Sequence, residues 1–341
     1  MGLVEARLVL PEPVAVLYRG GWAESRHYGS IAVTDSGGKL LYSRGVAERM
    51  TFLRSAAKPF QVLPLFTTGA YAKYRFRLDE IAVMAGSHSG QDEHVERIKS
   101  ILEKIGLDEA ALQCGIQRPF HRQTAQRLAQ GGKPISPLRN ACSGKHACML
   151  AIAQSQGWNT ADYTKIEHPV QQLMLATIAK ITEFPAKDIG LGLDTCGVPV
   201  FALPLNNMAL AYAKLGSQTA TSATEQQGME TIIAAMTTYP ELVAGSGRFT
   251  SSLLLAGAGS LVAKDGGEST FGIGFTGKDL GIAVKIEDGA SRALAPTVLQ
   301  ILTELKLLTP TAKAKIDSYR ERPICTFGGM PAGIIKAVPL F

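Results

Sequence analysis

Short apolar runs broken by turns open and close the chain, and apolar positions spaced at helical intervals fill its middle. Residues 14–18, 30–33 and 40–43 read as strands, the last two joined by a turn at 35–38. Helices are expected over 93–105, 123–129 and 146–156, each stopped by a glycine (Gly106, Gly131, Gly157). Two more are expected over 170–182, where Pro169 suits a first turn, and over 225–237. From Gly245 onward strands return at 260–263, 270–275 and 281–286, followed by a helix over 290–305. The predicted fold class is mixed α and β. Sheet-forming ends (about 1–60 and 245–341) enclose a helix-rich middle (about 90–240), giving a central, largely antiparallel sheet flanked by helices. The whole of 1–341 is expected to form one catalytic domain.

Composition narrows the class. Apolar residues make up 46% of the chain and charged ones 19%, as in a soluble globular protein. The N-terminus, MGLVEARLVLPEPVAV, has an early acid, a short apolar run and Pro11 and Pro13, so it reads as neither a signal peptide nor a spanning helix, and a cytoplasmic location is expected. The net charge of +6 comes from scattered lysines and arginines, with no basic run. That excludes nucleic acid and a membrane surface as expected partners and leaves a small anionic or zwitterionic molecule. Five cysteines, an odd number, argue for reduced thiols. Cys114, Cys148 and Cys325 read as buried small hydrophobes.

Five segments carry chemistry. In RSAAKPFQ (54–61), Ser55 and Lys58 are three apart, the spacing that places an amine over a hydroxyl on one helix face. Ser36 and Lys39 share that spacing, but Gly37 and Gly38 between them read as a hairpin turn. AGSHSGQ (85–91) sets Ser87, His88 and Ser89 after the apolar Ile81, Ala82 and Val83, at an expected strand end; the plainer reading is a pair of N-cap serines for the next helix. NACSGKH (140–146) packs a thiol, a hydroxyl, an amine and an imidazole around a glycine at a helix start. DTCGVP (194–199) supplies a second thiol, so that Cys142 and Cys196 offer two soft ligands, although no CxxC pair is present. VKIEDG places Lys285 within a strand, either on an exposed face or, if inward, as a second base.

Together, RSAAKPFQ, AGSHSGQ, CSGKH, DTCGVP, ELVAGSGR and VKIEDG resemble the rhizobial-type (thermolabile, zinc-associated) L-asparaginases, in order and over essentially the full chain. The resemblance implies a fold related to serine beta-lactamases and glutaminases, and a homodimer acting on L-asparagine. It implies Ser55 as nucleophile and Lys58 as its base, with Ser87 and Lys285 as a second serine–lysine pair relaying a proton to the leaving nitrogen. It further implies zinc on Cys142, Lys145 and Cys196, with Arg54, His146 and Asp194 beside these groups, and no organic cofactor.

The chain departs from the family pattern at Gln91, Gln117, Ala141 and Cys148, and in DGGEST after Lys264; none of these was expected to touch the serine–lysine pairs. Two other readings stay open on the residues alone. One is a penicillin-recognising serine hydrolase, which shares the serine–lysine logic. The other is a non-catalytic protein that binds zinc or an amino acid on the same fold.

Overall fold

The structure is a computed structural model that describes residues 10–132 and 134–340. The reading of the N-terminal leader falls mostly on residues 1–9, outside the described part. Eight strands form one antiparallel sheet: β1 (Glu12–Arg19), β2 (Trp22–Thr34) and β3 (Leu40–Arg44) from the first part of the chain, and β7 (Leu261–Gly266), β8 (Thr270–Phe275), β9 (Gly281–Ile286), β10 (Glu321–Cys325) and β11 (Pro331–Ala337) from the last. Their order is β10-β11-β1-β2-β9-β8-β7, with β3 also on β2. The two ends meet where Ser30 of β2 faces Lys285 of β9. The expected closure of the sheet by both ends of the chain is therefore what the structure has.

β8 and β9 are buried at every position, so helices cover both of their faces. On one face lies the helix Leu205–Ser217. Gly272 and Gly281 make room for it: a Cβ at Gly272 would sit 1.9 Å from the Tyr212 ring, and one at Gly281 would sit 2.0 Å from the Ala209 carbonyl oxygen. Tyr212 in turn donates its hydroxyl to the Ala56 carbonyl at 2.7 Å, tying this layer to the serine–lysine turn. On the other face Phe271 meets Phe249 of the helix Phe249–Gly257. The helices Asp92–Lys104, Arg122–Gln130, Ser143–Ser155, Pro169–Thr182, Ala223–Thr238 and Ser291–Glu304 match the predicted ones to within a few residues. No helix among the described residues is long and apolar enough to cross a membrane.

A second, three-stranded sheet went unpredicted: β4 (Met50–Phe52), β6 (Pro199–Pro204) and β5 (Gly190–Leu193), in the order β4-β6-β5. These strands are three to six residues long and β5 reads GLGL, too short and glycine-rich to show a period. β10 and β11 were missed as well. β10 is an exposed edge strand carrying Pro323, which only an edge tolerates. Ile81–Val83, read as the end of a strand, lies instead within the helix Leu78–Met84. A three-residue apolar run does not distinguish the two.

Candidate active site

The small sheet brings two chemical segments together. β4 runs directly into the turn holding Arg54 and Ser55, while the β5–β6 hairpin carries Asp194 and Cys196 at its tip, closed by Asp194 N–H to the Val198 carbonyl at 2.9 Å and Gly197 N–H to the Asp194 carbonyl at 2.9 Å. Arg54 adopts a left-handed conformation at φ 49°, and its guanidinium grips Asp194 with Nη2 2.9 Å from Oδ1 and Nε 3.1 Å from the same oxygen.

Arg54–Ala57 is a 3₁₀ turn and Lys58–Val62 a short α-helix with Pro59 in its first turn. Residues three apart eclipse one another in a 3₁₀ turn, so Ser55 and Lys58 start from the same side. Lys58 is fully buried. Its Nζ meets the Gly86 carbonyl at 2.8 Å, the Ala141 carbonyl at 3.1 Å and Ser87 Oγ at 2.8 Å. Ser55 is half-buried and Ser87 buried, and both stand on the wall of one cavity. By contrast, Ser36 lies in the Asp35–Gly38 turn, whose amides bond Asp35 Oδ1, so the second SxxK is no helix.

The loop after Met84 is not a cap. Ser87 Oγ is engaged by Lys58, and Ser89 Oγ donates to the Ala244 carbonyl at 2.8 Å; the following helix is entered instead through the His94 ring, which accepts the Gln91 N–H at 3.2 Å. His88 is fully buried, with Nε2 2.9 Å from Ser143 Oγ and Nδ1 accepting the Gly90 N–H; burial, then the charges of His94 and Lys58, hold it well below the usual imidazole range. Ser143 opens the CSGKH helix. Gly144 there has no substitute: a Cβ would lie 2.1 Å from the Val83 carbonyl oxygen.

That helix points Cys142 and Lys145 at the hairpin tip. Ligand atoms of Cys142, Asp194 and Cys196 all lie within 4.8 Å of one another, and Lys145 Nζ is 3.2 Å from Cys196 Sγ and 3.6 Å from Asp194 Oδ2. Of the two thiols one gives up its proton easily and the other holds it. The hydrogen bond with Cys196, reinforced by the Lys58 and Lys145 charges, pulls the Cys142 thiol well below its ordinary value against the effect of burial, while Cys196 is pushed up. Burial alone would depress Lys145, but the charges of Cys142, Cys196 and Asp194 outweigh it and raise the amine. Two thiols and an amine, with the Asp194 carboxylate within reach, make a donor set whose chemistry fits zinc. His146 is buried behind this cluster with Nδ1 2.6 Å from the Tyr163 hydroxyl; burial, then Lys145 and Lys58, keep it neutral.

Two lysines stand on this face of the sheet, the expected Lys285 and Lys264. Lys285, its pKa lowered by burial and then by Arg49, bonds to the carbonyl of Glu268, a residue that lines the cavity, and makes no hydrogen bond to Ser87. Lys264, passed over in the sequence, is fully buried on the same face of the sheet, bonded to Asp265 at 2.7 Å and close enough to Lys58 to feel its charge. Burial is the main cause that brings its amine down to about 8. A lysine followed by an aspartate resembles a surface pair, and only the sheet register reveals it as buried. Asp265 is bound further by Thr250 Oγ1 at 2.9 Å and Arg248 at 3.0 Å.

The departures have partners. Gln91 brackets Ser246, its Oε1 accepting the Ser246 N–H at 3.0 Å. Gln117 Oε1 accepts the Ala141 N–H at 3.0 Å, and the Ala141 carbonyl in turn accepts from Lys58. Contrary to expectation, two departures thus reach the lysine. Cys148 is an inert core thiol, pushed up by burial.

Ser55, Ser87, Cys142, Asp194 and Cys196 share the wall of a cavity of about 820 Å³. A protein family described as L-asparaginase II matches residues 15–337. No curated protein matches the sequence. Among solved structures the chain is similar to Mglu in its native form, at 15% identity and a TM-score of 0.38 over 82% of this chain and 65% of that one, so it spans about two thirds of that protein's length. It is also similar to a beta-lactamase-like protein from Bacteroides dorei DSM 17855, at 13% identity and a TM-score of 0.39 over 81% and 93% of the two chains. Likenesses this distant add nothing to the family match.

Proposed function

The chain belongs to the L-asparaginase II family of amidohydrolases, and from that premise we propose that it hydrolyses the side-chain amide of L-asparagine to L-aspartate and ammonia through an acyl-enzyme on Ser55. The observation that carries this reading is the setting of Lys58. Two of its partners, the Gly86 and Ala141 carbonyls, can only accept; the third, Ser87 Oγ, can accept or donate. A proton therefore passes between Lys58 and Ser87 without heavy-atom movement.

Lys58 takes the proton of Ser55 as its oxygen bonds to the amide carbon. Ser87 carries a proton onward to the departing nitrogen, and water cleaves the ester by the reverse path. The buried Lys264–Asp265 pair keeps a second amine at the edge of this relay. Lys285 was the expected end of the relay, and in this reading it is held by the Glu268 carbonyl.

Zinc would be held by Cys142, Cys196, Lys145 and Asp194, and when bound supplies a Lewis acid at the cavity wall. Arg54 holds the Asp194 carboxylate in place for that role. A homodimer remains the expectation from the family resemblance, and light scattering on the purified protein checks it. The reading is tested by acid quenching during turnover followed by mass spectrometry: an aspartyl ester on the Ser55 peptide supports it, and an adduct elsewhere contradicts it.

A further inference from the structure

The proposed chemistry occupies one end of the cavity and leaves the other unused. A volume of about 820 Å³ lies in the range of about 300–1,000 Å³ found for sites that hold drug-sized ligands, far beyond what one small amino acid fills. The unused end is lined by a row of rings. It begins beside the Ser55 turn: Thr270 donates its hydroxyl to the Phe52 carbonyl at 3.4 Å, and Gly266, its strand partner, lies against the Leu53 carbonyl. On the opposite face of β8 from Thr270, Phe271 packs on Phe249 at 5.6 Å between centroids, and Phe249 on Tyr319 at 5.2 Å; Phe249 and Tyr319 line the same cavity as Ser55. The Tyr319 hydroxyl is fixed by Ser252 Oγ and the Gly247 carbonyl, each at 3.1 Å. Leu294 adds an aliphatic surface, and at the lip Phe120 lies exposed under the Arg248 guanidinium at 5.6 Å. Phe271 is itself fully buried and backs Phe249, so Phe249, Tyr319 and Phe120 present the apolar surface to the cavity, and the polar head and amide of L-asparagine have nothing to set against it.

We infer that the site takes asparagine derivatives enlarged by an aromatic or aliphatic group seated on the Phe249–Tyr319 wall. This rests on the amidohydrolase reading above. The group is attached either to the amide nitrogen or to the α-amine, and the two share one chemistry. In the first case the bond from Ser55 Oγ to the carbonyl carbon forms, the C–N bond breaks, and a primary amine leaves with the proton delivered by the relay. In the second the leaving group is ammonia. Water then cleaves the ester in both, restoring the Ser55 hydroxyl and releasing the carboxylate.

The test measures kcat/KM for N4-benzyl-L-asparagine, Nα-benzoyl-L-asparagine and L-asparagine on the zinc-supplied full chain. Wild type is compared with Phe249→Ala and with Phe120→Ala, the latter at an exposed position whose loss leaves folding intact. At least one benzylated or benzoylated compound is expected to exceed L-asparagine by about tenfold. Phe249→Ala should lower that compound by about tenfold, and Phe120→Ala should lower it by about threefold, with L-asparagine changing by less than about twofold. Turnover of L-asparagine with both derivatives at or below its kcat/KM overturns the inference alone. So does an equal loss for all substrates in both variants. No turnover of any of the three overturns the amidohydrolase reading and this inference with it.

Discussion

Lys58 Nζ stands 2.8 Å from Ser87 Oγ, at the bottom of the cavity that Ser87 and Ser55 line. Because carbonyls take the amine's other two bonds, Ser87 is the one partner through which its proton can move on. Ser87→Ala is therefore expected to lower kcat by about 10²–10⁴-fold with little change in KM, read by steady-state ammonia release. An unchanged kcat would remove Ser87 from the relay.

Asp194 joins the two halves of the site, bound by Arg54 on one side and within 3.6 Å of Lys145 on the other. Asp194→Asn should weaken zinc binding by about 10–100-fold, measured by competition with a chromophoric chelator. Lys145 has to lose its proton to ligate, and its neighbours raise its pKa, so zinc affinity in the wild type should fall as pH falls. Affinity independent of pH would exclude Lys145 from the ligand set.

Gly144 fixes the start of the CSGKH helix against the Val83 carbonyl, where an added methyl would lie 2.1 Å away. Gly144→Ala has to push that helix start off the end of the helix Leu78–Met84, and a loss of at least about 1–3 kcal/mol of stability is expected in denaturant titration. A variant as stable as wild type would show that the helix packs less closely than this.

Lys264 gives a signed pH dependence. Its amine sits at about 8 in the folded protein, depressed mainly by burial, against about 10.4 in an unfolded chain. Below the folded value both states carry the charge and the fold bears the whole cost of burying it. Between the two values only the unfolded state is still protonated, so stability rises with pH across that window. Relative to Lys264→Met, the wild type should gain on the order of 2–3 kcal/mol from about pH 8 to about pH 10, in denaturant titrations at matched ionic strength. A constant difference would show that Lys264 stays charged throughout.

Much of the fold was legible because its elements announce themselves locally. The β8 and β9 runs, the Asp35 turn and the five mid-chain helices have clear periods or stops, and the structure has them within a few residues. What was not legible depends on distant pairing. The short strands β4, β5 and β6 exist because they pair with one another, and it is their pairing that sets Arg54 against Asp194. The site was legible as a set of motifs and obscure as a geometry. Cys142 and Cys196, 54 positions apart in sequence, read as ligands from their company, with Lys145, His146 and Asp194 as candidates for a third, and only the fold shows that Lys145 and Asp194 face the thiols while His146 turns to Tyr163. Lys264 was passed over because its burial follows from its pairing with Gly272, and Gln117 because it reaches Lys58 only through the Ala141 peptide.

The most direct measurement of the central claim is ammonia release from L-asparagine by wild type and Ser55→Ala, with folding of both verified by circular dichroism and zinc supplied. Release by the wild type that falls to background in Ser55→Ala is the predicted result. Equal release by both proteins would contradict Ser55 as the nucleophile, and no release by a folded, zinc-supplied wild type would contradict the assignment of L-asparagine as substrate.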